Sequence, residues 1–245
     1  MRAIVTLHSV DETGSVLSIR PSELESLLDA IEKARHEVVS LGELLTQPGR
    51  PDRIAVTFDD ALASVAEEGL PILARRGYPA SVFVVTDRVG RDNAWPGQPA
   101  GIPDMPSMGW GELQALAEAG WEIGSHTHTH AKLTRLSEAA VRAEIAQAHA
   151  VVERELGLSP TFFAYPYGAV NDTVRRVAGE FHRFAVAGRL SALDSALDHP
   201  LELPRLDGFY LRSARVHRWF GSALFDGWVG LRRRAREARN GRLTP

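Results

Sequence analysis

The sequence predicts an α/β fold in which parallel strands, each followed by a helix, close or nearly close into a barrel. Two observations predict this fold. Short apolar runs alternate with segments of helical periodicity six or seven times in about 210 residues, and no change in composition marks a linker between them. An open doubly wound sheet is the alternative, but no glycine-rich phosphate loop follows the first strand.

The predicted strands are short and mostly rich in β-branched residues. They cover residues 3–7, 37–40, 54–58, 80–86, 121–124, 161–164 and 183–187. The predicted helices cover residues 21–35, 61–76, 112–119, 137–156 and 172–179. Pro21 begins the first helix and Ser137 caps the fourth, while Gly77 and Gly120 end the second and the third. Four prolines and three glycines predict a long loop at residues 90–107.

The composition is that of an ordinary globular domain, with 44% hydrophobic and 24% charged residues. The 245-residue chain has no cysteine, which excludes disulfides, thiolate metal sites and cysteine nucleophiles. A net charge of −3 gives no signal for nucleic acid, so no nucleic-acid partner is expected. The sequence has neither a signal-peptide core nor an apolar stretch of transmembrane length, so we expect the protein in the cytoplasm.

The predicted barrel domain covers residues 1–228, and residues 229–245 are predicted to form a basic C-terminal helix or tail. This tail contains six arginines and a single acidic residue, Glu237. A solvated helix that ends the fold is the favoured interpretation. The alternative is weak contact of the arginines with an anionic surface, such as a lipid or an anionic glycan carrier.

Several predicted strands are followed directly by polar side chains. In parallel α/β folds the active site lies at these carboxyl ends. Four strand ends carry titratable or structurally special groups: His8; Asp59-Asp60; His126, His128 and His130; and Tyr165-Pro166-Tyr167-Gly168. One such end would mean little, but four that converge on the same face predict an active site.

The aspartate pair and the histidine run predict a metal site. Either carboxylate alone is a good helix cap, but two adjacent buried carboxylates repel each other unless a cation intervenes. His126 and His130 share a face in a helical turn and in an extended segment, whereas His128 joins them only when the segment is extended. Two histidines and one aspartate form a nitrogen–oxygen site suited to zinc, with cobalt, nickel and iron(II) as alternatives. Three protein ligands leave positions for water and substrate, as catalytic sites do.

Three segments match, in order and spacing, the successive motifs of a known family. They are Thr57-Phe58-Asp59-Asp60, His126-x-x-x-His130 and Tyr165-Pro166-Tyr167-Gly168. Over residues 1–210 the chain thus resembles the polysaccharide deacetylase family (NodB-homology domain, carbohydrate esterase 4). Leu133-Thr134-Arg135-Leu136-Ser137 and Leu203-Pro204-Arg205 resemble segments of its bacterial exopolysaccharide-associated branch. The resemblance implies a distorted or incomplete (β/α)7 TIM-like barrel and metal-dependent hydrolysis of N-acetyl groups on an amino-sugar glycan, which would be the partner.

The resemblance also implies roles for individual residues. Asp60, His126 and His130 would bind one divalent metal, and Asp59 would be the general base on the attacking water. Tyr167 lies where the family supplies a backbone N–H to the oxyanion. These roles are physically sensible, because a metal lowers the pKa of water and polarises the acetyl carbonyl. A backbone donor at the developing oxyanion stabilises the transition state further.

The sequence departs from the family pattern at two positions. Many members have an arginine that orients the base three residues before Tyr167, where this chain has Ala164; we expect Arg205 to replace it. Many members also have a late histidine as general acid, but neither His199 nor His217 lies in a convincing copy of that motif. In the exopolysaccharide branch an early histidine after the first strand is the acid, and His8 fits that position.

Three functions are consistent with these motifs. The leading hypothesis is a carbohydrate N-deacetylase, a hydrolase acting on non-peptide C–N bonds. A small-molecule amidase on the same barrel would share the motifs. A catalytically inactive carbohydrate-binding barrel is favoured by the missing arginine and disfavoured by the intact aspartates and histidines. Isolated aromatic residues are assigned to the core rather than to sugar stacking: Trp95, Trp110, Tyr165 and Trp219.

Overall fold

The strands of the protein are short segments that parallel pairing buries on both faces. The computed structural model describes residues 1–47, 49–194 and 196–240. In these ranges it contains ten strands: β1 (Arg2–Leu7), β2 (Ser9–Val10), β3 (Ser18–Ile19), β4 (Glu37–Val38), β5 (Arg53–Phe58), β6 (Ser81–Val84), β7 (Glu122–Ser125), β8 (Phe162–Ala164), β9 (Phe184–Leu190) and β10 (Leu203–Asp207).

The described part of the chain also contains eight α-helices. They are α1 (Pro21–Lys33), α2 (Leu41–Thr46), α3 (Leu70–Ala74), α4 (Trp110–Glu118), α5 (Glu138–Leu156), α6 (Asp172–Ala178), α7 (Ala214–His217) and α8 (Ala223–Asn240). The predicted helix at residues 61–76 is divided into a π-helical turn, Val65–Gly69, and α3. Pro71 accounts for the division, because it lacks an N–H and its ring clashes with the carbonyl four residues earlier.

Seven strands close into a parallel barrel in the order β1, β5, β6, β7, β8, β9, β10, and β10 pairs again with β1. β1 pairs with β5 along its whole length, from Arg2 opposite Arg53 to Leu7 opposite Phe58. β4 pairs only with the first residues of β5, and β2 pairs with β3 in a separate small sheet. The predicted barrel is therefore confirmed, and it is closed rather than an open doubly wound sheet.

Successive side chains along each strand point alternately into the barrel interior and outward towards the helices. Ile4 and Phe83 pack in the interior, whereas Val5 and Val56 pack outward in the larger core that includes the apolar stripe of α1. Gly124 lets the Phe83 ring fill the interior, because a Cβ at residue 124 would lie 2.6 Å from that ring.

Besides the divided helix, several elements differ from the sequence-based assignment: β2, β3, α2, α7 and β10 were not predicted, and α8 begins before the predicted boundary. β10 was not predicted, because Pro204 argues against a central strand; the register with β9 shifts between Leu203 and Arg205, which accommodates the proline. α8 begins at Ala223, so the predicted boundary after residue 228 falls inside this helix. That division into two parts stays a prediction, and residues 241–245 lie outside the described ranges. No helix in those ranges is both long enough and apolar enough to cross a membrane.

Candidate active site

Polar side chains from several strands meet at the carboxyl end of the barrel, in an open cleft of about 840 Å³. All seven site residues predicted from the sequence line this cleft: His8, Asp59, Asp60, His126, His130, Tyr167 and Arg205. They come from the ends of β1, β5, β7 and β8 and from within β10. The barrel thus brings together residues that are almost 200 positions apart in the sequence.

Asp60 lies against two imidazole rings. Its Oδ1 atom is 3.5 Å from Nε2 of His126 and 3.5 Å from Nε2 of His130. All three side chains are buried, and one ligand atom from each lies within 4.8 Å of the others. Three ligands that face an open cleft match the pattern of a catalytic metal site rather than a closed structural one.

The hydrogen bonds of this cluster test whether a metal fits. Nδ1 of His126 lies 2.7 Å from the Ala164 carbonyl oxygen, and a carbonyl only accepts, so Nδ1 carries a proton and Nε2 is the nitrogen that faces Asp60. The Oδ1 atom of Asp60 is buried and accepts no hydrogen bond from the described residues. A buried carboxylate oxygen that faces two imidazole nitrogens without accepting a hydrogen bond is costly unless a cation lies between them. The residues therefore fit a divalent metal.

Burial shifts the pKa values of residues in this cluster. It raises the pKa of Asp60 and, together with the nearby His126, lowers the pKa of His130 well below its ordinary value. Both shifts express the cost of placing these ligands in a dry environment. A bound cation would remove that cost by favouring the carboxylate and the neutral imidazoles.

His128 lies outside the cluster. Its Nδ1 atom is 2.9 Å from the Thr86 hydroxyl, and its Nε2 atom is 2.9 Å from the side-chain amide of Gln147. The histidine segment turns instead of extending, and His130 has a φ of 59°. The turn brings His130 back towards His126, so the alternative of three histidines on one extended face is wrong.

The second carboxylate, Asp59, is held by Arg205. The guanidinium donates from Nη1 to Oδ1 at 2.7 Å and from Nη2 to Oδ2 at 2.8 Å, and Nη1 also donates to the Thr6 hydroxyl at 2.8 Å. Burial alone would raise the pKa of Asp59, but Arg205 and His126 outweigh it and hold the pKa well below its usual range. Asp59 is therefore ionised and fixed in orientation. Arg205 thus provides beside Asp59 the guanidinium that Ala164 cannot provide.

Two further predicted residues lie at the edge of the cleft. Nε2 of His8 is 4.0 Å from Oδ2 of Asp59, and the His8 side chain is 27% exposed. Tyr167 lies in the 3-10 turn Pro166–Gly168, and its ring centroid is 4.7 Å from that of His130. His8 thus contacts the cleft on the side of Asp59, and Tyr167 on the side of the metal cluster.

Backbone strain concentrates at this site. Non-glycine residues rarely have a positive φ, and each one costs about 1 kcal/mol or more. Among the described residues six have this conformation, and five of them lie in the segments that form the site: Asp60, Ala61, Thr127, His130 and Tyr167. The strands and helices around the site hold these turns, which place the ligand atoms.

The cleft also contains residues that the sequence did not indicate. Trp95, assigned to the core, packs its ring 4.0 Å from that of His130 and forms a wall of the cleft. Asp207 and Arg236 also line the cleft. The predicted long loop at residues 90–107 could have indicated Trp95, because loops at the carboxyl ends of barrel strands carry functional groups.

The barrel and the residues at its carboxyl end are those of a hydrolase with a candidate metal site. Residues 46–183 match the Polysaccharide deacetylase family, and the chain belongs to that family. It is 26% identical over 222 residues to the poly-β-1,6-N-acetyl-D-glucosamine N-deacetylase of Staphylococcus aureus, an alignment that covers 79% of this chain and 73% of that protein. It is also 26% identical over 160 residues to a chitin deacetylase of Pestalotiopsis, covering 65% of this chain and 49% of that one.

Solved structures show the same fold. IcaB from Ammonifex degensii superposes with a TM-score of 0.74 at 23% identity, over 91% of this chain and 98% of that chain. The Streptococcus pyogenes deacetylase PplD, solved in complex with acetate, superposes with a TM-score of 0.72 at 18% identity, over 84% of this chain and 91% of that chain. The predicted family and its exopolysaccharide-associated branch are confirmed.

Proposed function

We propose that this protein is a metal-dependent N-deacetylase that removes acetyl groups from the amino sugars of a glycan. One observation carries the proposal: a buried Asp60 oxygen faces two imidazole nitrogens, while the adjacent Asp59 is kept ionised by Arg205. The first group can hold a metal, and the second can accept a proton. Amide hydrolysis by an activated water needs both.

Asp60, His126 and His130 would hold one divalent metal. A mixed set of nitrogen and oxygen ligands with open positions favours zinc, and cobalt, nickel and iron(II) are the alternatives. When bound, such a metal lowers the pKa of water and polarises the acetyl carbonyl. The hydrogen bond from His126 to the Ala164 carbonyl keeps the ring in the tautomer that ligates through Nε2.

Asp59 is the proposed general base. Each carboxylate oxygen has two acceptor positions, and Arg205 occupies one on each oxygen, so a second position on each stays available for the proton of the attacking water. The two parallel bonds also fix the plane of the carboxylate. Arg205 is therefore a positioning residue.

His8 and Tyr167 complete the proposal. The His8 side chain is partly exposed and lies 4.0 Å from Asp59, and it is the proposed donor of a proton to the leaving amine. The backbone N–H of Tyr167 is the proposed donor to the oxyanion that forms on the acetyl carbonyl. The left-handed conformation of Tyr167, with φ 60°, is strain of the kind that functional turns store.

The substrate class follows from the relatives. One is named for poly-β-1,6-N-acetyl-D-glucosamine and another for chitin, and both are polymers of N-acetylated amino sugars. We propose a glycan of this kind as the substrate of the present protein. The cleft is open to solvent, as binding of an oligosaccharide requires.

Incubation with defined acetamides tests the function. The metal-loaded protein is mixed with β-1,6-linked and β-1,4-linked N-acetylglucosamine oligosaccharides and, separately, with small non-sugar acetamides. We expect mass spectrometry to detect loss of acetyl groups from an oligosaccharide, with equivalent release of acetate, and no reaction with Asp59→Asn. Hydrolysis of the small acetamides alone would support the amidase, and binding of oligosaccharides without acetate release would support the inactive barrel.

A further inference from the structure

The C-terminal helix α8 forms part of the active-site cleft. Arg236 on α8 and Asp207 at the end of β10 line the same cleft as Asp59 and Asp60. Nη1 of Arg236 donates to Oδ2 of Asp207 at 3.3 Å, and the two side chains are 28% and 29% exposed. The basic segment that the sequence assigned to a solvated tail therefore reaches the cleft.

Packing holds this face of α8 on the rim of the cleft. Phe225 near the start of the helix is fully buried in the main core. The guanidinium of Arg232 lies 5.5 Å from the Trp228 ring and 6.0 Å from the Tyr210 ring, and cation–π contacts of this kind are attractive. Arg232 and Arg236 are four residues apart, so they share one face of the helix. Both arginines thus lie on the side of α8 that packs beside the cleft.

Three aspartates and two arginines line the cleft, so a bound divalent metal would change their net charge from −1 to +1 and favour a negatively charged ligand. Asp59 is neutralised by Arg205, and Asp60 would be neutralised by a bound metal. The single hydrogen bond from Arg236 to Asp207 is long, and a guanidinium has five N–H donors in a fork that matches carboxylate or phosphate. Arg232 adds positive charge from the same helix face. An already deacetylated, cationic sugar would be repelled here.

We propose that Arg236 determines specificity by binding an oxyanion, a carboxylate or a phosphate, on the sugar next to the acetamido sugar being hydrolysed. The inference rests on the proposed function and adds that the preferred glycan is acidic. A neutral hydroxyl would also accept a hydrogen bond from Arg236, but charge-assisted bonds are about twice as strong as neutral ones. The competing explanation is that the pair Arg236–Asp207 only anchors α8.

Three trimers of β-1,6-linked N-acetylglucosamine test the inference: the unmodified trimer, one oxidised at its free terminal C6 to a carboxylate, and one phosphorylated at that carbon. We expect wild-type KM to be about tenfold lower for the preferred acidic trimer at similar kcat, a ratio that corresponds to about 1.4 kcal/mol. Arg236→Gln should abolish the preference by raising KM for the acidic trimer to that for the neutral one. The exposed Arg234, which does not line the cleft, provides the matched control Arg234→Gln, which should retain the preference.

The results distinguish oxyanion binding by Arg236 from an ion pair that only anchors α8. Equal KM values for neutral and acidic trimers in the wild type would overturn the inference, and so would a preference that Arg234→Gln abolishes equally. Asp207→Asn frees Arg236 and should keep or increase the acidic preference, whereas an ion pair that only anchors α8 would make Asp207→Asn and Arg236→Gln behave alike. If no trimer is hydrolysed, the proposed function fails instead, and calorimetric titration of the three trimers still shows whether the acidic ones bind more tightly through Arg236.

Discussion

Arg205 on β10 reaches Asp59 at the end of β5 across the intervening strand β1, and on the way it donates to Thr6 of β1. β10 and β1 are the strands whose pairing closes the barrel. The proposed base is thus oriented by a side chain that comes into place only when the barrel has closed. Folding and assembly of the site are coupled through this contact, which joins residues 146 positions apart.

A double-mutant cycle tests this coupling. We expect Asp59→Asn to keep the metal and lower turnover by a factor on the order of 10² or more, because the amide cannot accept the proton. Arg205→Gln should lower kcat with little change in KM, because it leaves the base present but poorly oriented. If Arg205 acts through Asp59, the double variant should be no slower than Asp59→Asn. Fully additive losses would show that Arg205 acts independently of Asp59.

Metal content is the measurement for the cluster of Asp60, His126 and His130. Asp60→Ala and His126→Ala should each lose the metal, because two remaining ligands hold a divalent ion far less tightly than three. Elemental analysis of the purified variants measures this. His128→Ala is the matched control, since its ring bonds to Thr86 and Gln147 instead of facing the cluster. Full metal content in both ligand variants, or equal loss in His128→Ala, would contradict the assignment.

The barrel could be predicted from the sequence because its strands are apolar runs separated by well-marked helices, and a parallel sheet directs their carboxyl ends to one face. His126 and His130 were recognisable from spacing alone, whereas the exclusion of His128 depended on a turn with positive φ that no local pattern indicated. The contact of Arg205 with Asp59 is long-range and emerged only from strand order. The place of Arg236 depended on how α8 packs, which amphipathic patterning does not specify. The cytoplasmic location and the roles of single residues stay predictions.

His8 is the proposed general acid. Among the histidines outside the metal cluster it follows a barrel strand directly and lies 4.0 Å from the base. His8→Ala should lower turnover by a factor on the order of 10²–10⁴ at unchanged metal content, because the leaving amine would lack a proton donor. Steady-state rates with elemental analysis of the same sample check this. His217→Ala is the control: its ring bonds to Ser26 and to the Leu211 carbonyl. Loss of activity in His217→Ala with a fully active His8→Ala would reverse the assignment.

His182 makes stability depend on pH at a place remote from the cleft. Burial lowers its pKa from 6.5 to about 4, its ring stacks on Phe163, and Nδ1 bonds to the Pro160 carbonyl. Because the folded pKa lies below the unfolded one, the unfolded chain binds more protons between these values. Neutral His182 therefore contributes fully to the free energy of unfolding above pH 6.5. This contribution, about 3 kcal/mol, is lost as the pH falls towards 4.

The variant His182→Phe keeps the stacking on Phe163 and cannot be protonated. It should be less stable than the wild type at pH 7 by about 1 kcal/mol, because the bond to Pro160 is lost. Between pH 6.5 and 4 its free energy of unfolding should fall less steeply, so that the two proteins converge or cross. Denaturant unfolding at several pH values measures both slopes. Parallel curves for the two proteins would show that His182 does not cause the pH dependence of stability, since only the wild type can bind a proton at this position on unfolding.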